Sequence, residues 1–175
     1  MSTSSPEHRI NSWFPPTVGF FKLNVDGGVD VMNGCCGIGA IVRGSNGDLV
    51  CVLFMYASSL ISILTLELCA IKKVLELALN FGCVPLIVES DSLRFVQLIN
   101  QDKECLAADG AYVNSIRAFL RVNQVFMNYV SRDVNGIAHH LAQFSLQCRE
   151  LSMWVDTGPL WLMDLSHSES VVKVV

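Results

Sequence analysis

The sequence predicts an α/β domain in which helices cover both faces of a mixed five-stranded sheet. Residues 20–26 alternate apolar and polar side chains, which indicates a strand, whereas from residue 64 the apolar positions follow the helical period. The elements are predicted in the order β-β-β-α-β-α-α-β-α. Helical crossovers then place the fourth and fifth strands parallel to the first, because parallel neighbours need crossover connections of that kind.

Three strands are predicted to open the domain as an antiparallel meander. In the first strand, Phe21, Leu23 and Val25 point to one face of the sheet. Asn46-Gly47 joins the second strand to the third in a tight turn, because these residues accept the positive φ that such a turn needs. The three strands are expected at residues 20–26, 37–43 and 49–55.

Helices dominate the second half of the prediction. Ile71 and Val74 share the apolar face of a helix over 64–80, Lys72 lies opposite, and Gly82 ends it. The remaining elements are a strand at 86–89, helices at 91–100 and 112–122, a strand at 125–130, and a last helix marked by Ile137, Leu141, Phe144 and Cys148. We divide the chain into an N-terminal segment (1–12), the domain (13–150) and a C-terminal tail (151–175) in which Trp154 and Trp161 could cover one end of the sheet.

Composition excludes several classes of protein. Of the 175 residues 51% are apolar, so the chain has ample surface to bury and is not disordered as a whole. The 12 Lys and Arg against 16 Asp and Glu give a net charge of −4, which excludes a strongly basic nucleic-acid clamp. Seven cysteines without a CxxC pair argue against a zinc ribbon or a disulfide framework. We therefore expect a reducing compartment, nuclear or cytoplasmic, and no signal peptide.

One uncharged run, residues 49–66, is long enough to suggest a membrane span. Serines and a threonine interrupt it, and Asp48 and Glu67 flank it where an orienting positive charge would be expected. We interpret the run as a buried strand, a polar connection over 58–62 and the start of a helix, and we expect no membrane association.

Two aspartates lie at the ends of strands that are predicted to be neighbours. Asp26 closes the first strand, and Asp91 follows the fourth, which the crossover returns beside the first. Sites in such sheets form at the carboxyl ends of parallel strands. Each aspartate also has an ordinary structural interpretation, because Asp26-Gly27-Gly28 suits a turn and Asp91 suits a helix start.

Glu67 shares a helix face with Ile71 and Val74, the face expected to pack on the sheet. An unpaired carboxylate buried there costs on the order of several kcal/mol, so it would need a cation. In the alternative, Glu67 lies in the first turn, favours the helix dipole and tips into solvent. Convergence with Asp26 and Asp91 favours the buried position, because three clustered negative charges repel unless a divalent ion neutralises them.

His139 on the last helix is a fourth candidate. It shares a face with Asn135, Ala138 and Ala142, whose small side chains permit close approach to the sheet. His139 is therefore expected to point at the sheet end, whereas the alternative is a hydrogen-bonded core histidine.

Five motifs follow one another along residues 13–161. They are Trp13 with Pro15-Pro16, Lys22 and Asn24-Val25-Asp26-Gly27; Gly37-Ile38-Gly39-Ala40 with Arg43 and Gly47; Glu67-Leu68-x-Ala70; Val88-Glu89-Ser90-Asp91-Ser92; and Arg132-Asp133-x-Asn135-x-x-Ala138-His139-x-Leu141-Ala142. In this order the motifs resemble the plant ribonuclease H-like domains found in non-LTR retroelements and in standalone genes.

The resemblance implies a ribonuclease H-like fold and an endonuclease that hydrolyses the RNA strand of RNA–DNA hybrids. The family's acids fall on Asp26, Glu67 and Asp91, and these with His139 would be the catalytic and metal-binding residues. Two Mg²⁺ or Mn²⁺ ions would activate a water and stabilise the leaving oxygen. His139 replaces the aspartate of full sites, which weakens the second metal position because imidazole brings no negative charge and suits Mn²⁺ or Zn²⁺ better than Mg²⁺.

Two further hypotheses stay open at this point. Without Asp26, Glu67 and Asp91 the chain has 13 acids against its 12 Lys and Arg, so the remaining surface is about neutral. A domesticated, catalytically inactive domain would then bind nucleic acid or a protein partner. A decaying retroelement fragment without a selected role is the third hypothesis. In each case we expect a monomer.

Overall fold

The computed structural model describes residues 12–58 and 63–170. Its strands are β1 (Phe21–Asp30), β2 (Cys35–Arg43), β3 (Leu49–Ala57), β4 (Leu86–Ser90), β5 (Val125–Tyr129) and β6 (Ser152–Val155). Its helices are α1 (Ile63–Asn80), α2 (Leu93–Asn100), α3 (Gly110–Val122), α4 (Gly136–Cys148) and α5 (Leu160–Ser170). The predicted segment 1–12 lies outside the described residues except for Ser12, as does most of the connection predicted at 58–62.

The strands form one mixed sheet in the order β5-β4-β1-β2-β3-β6. β1, β2 and β3 pair as the predicted antiparallel meander, and β4 and β5 run parallel to β1, which confirms the crossovers. The prediction of five strands is wrong by one. β6 is only four residues long, too short to show a period, and it is a strand because it pairs with the edge of β3, where Trp154 lies opposite Val52.

β1 continues beyond the predicted end at Asp26. Gly27 and Gly28 do not turn, because they stay paired with Ile38 and Gly37 of β2. The parallel pairing with β4 stops at Val25, opposite Ser90. Asp26 is therefore the first residue of β1 that extends past the end of β4, and its interpretation as a turn residue is wrong.

Helices cover both faces of the sheet, as predicted. α1, α2 and α3 pack on one face, where the larger core includes Leu23, Ile71 and Ile116. α4 and α5 pack on the other, where Ile41 and Leu141 belong to a second core cluster with Trp154 and Trp161 against it. Among the described helices none has the length and apolar content that would carry it across a bilayer.

α4 lies unusually close to β2 because small residues meet there. A Cβ added to Gly39 would overlap the backbone of Ala138 and Ala142, and one added to Gly37 would overlap the Ser145 hydroxyl and the Ala142 carbonyl. The small face predicted for α4 is thus confirmed. This contact sets the distance of α4 from the sheet and with it the position of residues at the start of the helix.

Gly39→Ala should destabilise the fold by about 3 kcal/mol, because the added methyl group meets backbone that cannot rotate away. Urea unfolding followed by circular dichroism measures the loss. Gly44→Ala is the control, since its Cβ would meet only the Phe21 ring at 4.0 Å. Equal stability of the two variants would contradict the close packing of α4.

Candidate functional site

Asp26 and Asp91 meet at the carboxyl ends of β1 and β4. The parallel register pairs Val25 with Ser90, so the next residue of each strand falls at the same edge. Both side chains are buried, and the two carboxyl groups lie close enough for each to influence the pKa of the other. The sheet topology therefore brings together two acids that lie 65 residues apart in the chain.

The surroundings shift the pKa values of the two aspartates in opposite directions. Burial raises the pKa of Asp26, and the negative charge of Asp91 raises it further. Burial also acts to raise the pKa of Asp91, but hydrogen bonds from Arg132 and Asn135 outweigh it and leave that pKa lowered. The ionised form of Asp26 is therefore less favoured than that of Asp91, because a buried negative charge beside a second one is costly.

Glu67 faces the same pair from α1. It is the fifth residue of the helix, beyond the first turn, and it points inward rather than into solvent. A Cβ on Gly27 would lie 3.0 Å from Glu67 Oε1, so a glycine at this point of β1 lets the carboxyl approach the strand. Burial, followed by the charges of Asp26 and Asp91, raises the pKa of Glu67 to about 7.

His139 is the partner of Asp26. Its Nδ1 atom lies 2.8 Å from Asp26 Oδ2, and its side chain is 31% exposed at the rim of the site. The histidine therefore points at the sheet end, as expected, although it is also hydrogen-bonded as in the alternative. Its neighbour His140 turns away and bonds the Gly136 carbonyl.

Arg132 and Asn135 complete the surroundings of Asp91. Arg132 Nε lies 2.9 Å from Asp91 Oδ2, and Asn135 Nδ2 lies 3.1 Å from Asp91 Oδ1. Both residues belong to the fifth sequence motif, but nothing in the sequence pattern indicates which partner either of them has. Asn135 was visible only as a polar residue on the small face of α4.

The donor set suits a hard divalent cation in part. Asp26, Glu67, Asp91 and His139 gather at one place, but within residues 12–58 and 63–170 no three His, Cys, Asp or Glu side chains are arranged as a ligand group. Mg²⁺ is often held by only one or two carboxylates and completes its shell with water and substrate phosphates. The Asp26–Asp91 pair, two buried carboxyls at the ends of neighbouring strands, fits that requirement. Metal binding by the four residues stays a prediction.

Comparison with known proteins places this arrangement in a family and a fold. The sequence profile of a family described as reverse transcriptase-like matches residues 24–145. No curated protein sequence matches the chain.

Three solved structures share the fold. The first is LC11 ribonuclease H1 from compost, solved in complex with an RNA/DNA hybrid, with a TM-score of 0.64 and 17% identity over 74% of this chain and 98% of that one. The second is the N-terminal ribonuclease H domain of a Mycobacterium tuberculosis protein, with a TM-score of 0.62 and 19% identity over 73% of this chain and 94% of that one. The third is ribonuclease H1 of Halobacterium salinarum, with a TM-score of 0.60 and 18% identity over 74% of this chain and 99% of that one. The predicted ribonuclease H-like fold is confirmed, and at such identities the likeness concerns the fold alone.

Glu67→Gln should flatten the fall of stability with pH in metal-free buffer. The folded protein keeps a proton on Glu67 up to a pKa of about 7, whereas the unfolded chain loses it near 4.5. Between these values the folded state binds more protons, so the free energy of unfolding of the wild type falls as pH rises. The free energy of unfolding of the variant minus that of the wild type should therefore rise by up to about 3 kcal/mol between pH 4 and a pH above 7.

The measurement is urea unfolding from pH 4 to 8 in the presence of a chelator. Glu76→Gln, on the exposed side of the same helix, is the matched control and should follow the wild type. Parallel profiles for Glu67→Gln and the wild type would show that Glu67 is not buried against the aspartates.

Proposed function

The chain belongs to the reverse transcriptase-like family, and we propose that it is a metal-dependent endonuclease that hydrolyses the RNA strand of RNA–DNA hybrids. The observation that supports this most strongly is the meeting of Asp26, Glu67 and Asp91, from three separate elements, at the carboxyl ends of β1 and β4. A ribonuclease H1 of the same fold has been solved with an RNA/DNA hybrid, which supports such a hybrid as the substrate.

In this proposal Asp26 and Asp91 hold Mg²⁺ or Mn²⁺, and Glu67 faces the same space. When bound, the ion supplies activation of a water and stabilisation of the leaving oxygen. His139 orients the Asp26 carboxyl through its Nδ1 contact. Arg132 fixes Asp91 with Nε and, because its side chain is 65% exposed, can offer its two terminal guanidinium nitrogens to a phosphate of the substrate.

A second candidate function is a non-catalytic module that binds nucleic acid or a protein partner. It is favoured by the contacts that already satisfy the carboxyls, since His139 bonds Asp26 while Arg132 and Asn135 bond Asp91. A site in which protein groups take the place of a cation has less need of one. The two functions differ in whether the folded chain takes up a divalent ion.

Asp26→Asn should abolish cleavage while leaving the fold intact. The substitution removes a charge that the bound ion requires, a loss on the order of several kcal/mol, so the rate should fall at least about 100-fold. The assay follows a hybrid labelled on the RNA strand, with Mg²⁺ and with Mn²⁺ in turn. A chelator should stop the wild-type reaction.

Asp48→Asn is the matched control, because Asp48 is exposed in the turn between β2 and β3. Its rate should equal that of the wild type. Cleavage that survives Asp26→Asn would reject the assignment of the site.

Calorimetric titration of the wild type with Mn²⁺ should show uptake that Asp26→Asn loses. Burial raises the pKa of Asp26 and the ion binds its ionised form, so affinity should also rise with pH. Absence of uptake at millimolar Mn²⁺ and Mg²⁺, together with retained binding of the hybrid, would favour the non-catalytic module.

A further inference from the structure

A series of hydrogen-bonded polar side chains, most of them buried, runs along the α4 and α5 side of the sheet and ends at Asp91. It begins at Glu169 on α5, whose Oε2 lies 2.9 Å from Arg43 NH1. Arg43 NH2 lies 3.1 Å from Asn24 Oδ1, and Asn24 Nδ2 lies 3.2 Å from Asn135 Oδ1. Asn135 Nδ2 then reaches Asp91 Oδ1 at 3.1 Å. We call this series of residues the polar file.

The middle of the polar file is deeply buried. Arg43 is 0% exposed, and Asn24 and Asn135 are 1% exposed. The Arg43 guanidinium also stacks on the Trp13 ring, with its central carbon 3.5 Å from the ring centroid. Burying such groups is costly unless each is hydrogen-bonded, and a small apolar side chain would avoid the cost. The series therefore calls for a role beyond packing.

The chemistry of its ends fixes the orientation of each amide. A guanidinium only donates hydrogen bonds and a carboxylate only accepts them. Asn24 must therefore turn Oδ1 toward Arg43 and Nδ2 toward Glu89, whose Oε2 lies 2.9 Å away. With Asn24 fixed, Asn135 must accept through Oδ1, so its Nδ2 donors face the Val25 carbonyl at 2.9 Å and Asp91.

The side chain of Asn135 does not cap the start of helix α4. It occupies the N-cap of α4, but its side chain makes no capping hydrogen bond. Its two N–H donors instead bond the Val25 carbonyl of β1 and the carboxyl of Asp91, which follows β4. Together with Arg132 on Oδ2, Asn135 on Oδ1 leaves the Asp91 carboxyl one orientation, facing Asp26.

We propose that Asn135 is a positioning residue for Asp91, held in its orientation by Asn24 and anchored from α5 through Arg43 and Glu169. This inference rests on the proposed function and extends it. It gives α5 a part in the site, although the helix lies beyond residues 24–145, which the family profile matches. Partners that orient a metal-ligating group commonly contribute about 10- to 100-fold to metal affinity or activity.

The first test is made without metal, by NMR of the asparagine side-chain amides. In the wild type the Asn135 amide protons should exchange with solvent far more slowly than those of an exposed asparagine. Asn24→Ser should make them exchange faster, because Oδ1 of Asn135 loses its donor. Fast exchange in the wild type, or no change in Asn24→Ser, would overturn the inference whether or not the protein is a nuclease.

The second test compares Mn²⁺ affinity by calorimetry in folded variants. Asn135→Ala should weaken binding about 10-fold or more, and Asn24→Ser and Glu169→Gln should weaken it by progressively less. On the hybrid, Asn135→Ala should lower kcat at fixed Mn²⁺ with little change in KM, and kcat should recover as Mn²⁺ is raised. A purely structural role would not give that recovery.

Two control variants separate positioning from stability. Asn114→Ala removes hydrogen bonds to the backbone of Cys105, which takes no part in the polar file, so it should lower Tm and leave Mn²⁺ affinity unchanged. Asp164→Asn makes the same charge change as Glu169→Gln at an exposed position of α5. Unchanged Mn²⁺ affinity in folded Asn135→Ala would overturn the inference. If that variant does not fold, unchanged Mn²⁺ affinity in Asn24→Ser would overturn it.

The two proposals fail in different ways. If the wild type takes up no Mn²⁺, the proposed function fails, and the amide exchange alone then decides whether Asn135 holds Asp91. If the wild type binds Mn²⁺ and cleaves the hybrid but the Asn135 and Asn24 variants match it, only the positioning role is rejected.

Discussion

Two buried carboxyls held close together are the constraint on which the site depends. Asp26 and Asp91 are neighbours because β1 and β4 are parallel and end together, and the negative charge of Asp91 raises the pKa of Asp26. Glu67 adds a third acid whose pKa the other two raise.

The second part of the site is helix α4, and its position depends on two glycines of β2 that have no side chain. Gly37 and Gly39 leave room for Ala142 against β2, so the helix lies close enough to put residues of its first turns at the end of β1. His139 reaches Asp26 from there, and Asn135 reaches Asp91. Packing of small groups thus determines the hydrogen bonds that orient both aspartates.

Much of this was predictable from the sequence, because it depends on local pattern and on chain topology. The period-two run around Leu23 predicted a strand, and the helical run around Ile71 predicted a helix. The helical crossover placed the fourth strand beside the first, so Asp26 and Asp91 were predicted to be neighbours. The features that were missed depend on partners that local pattern does not specify. β6 is a strand only because β3 has an open edge, and β1 runs through Gly27 because β2 continues to pair with it. The polar file could not be foreseen, since an asparagine's partners are set by three-dimensional packing.

The most direct test of the account is an anomalous difference map from crystals grown with Mn²⁺. The account predicts a peak at the carboxyls of Asp26 and Asp91, on the side that Glu67 faces. Crystals that show no peak there at millimolar Mn²⁺ would contradict it.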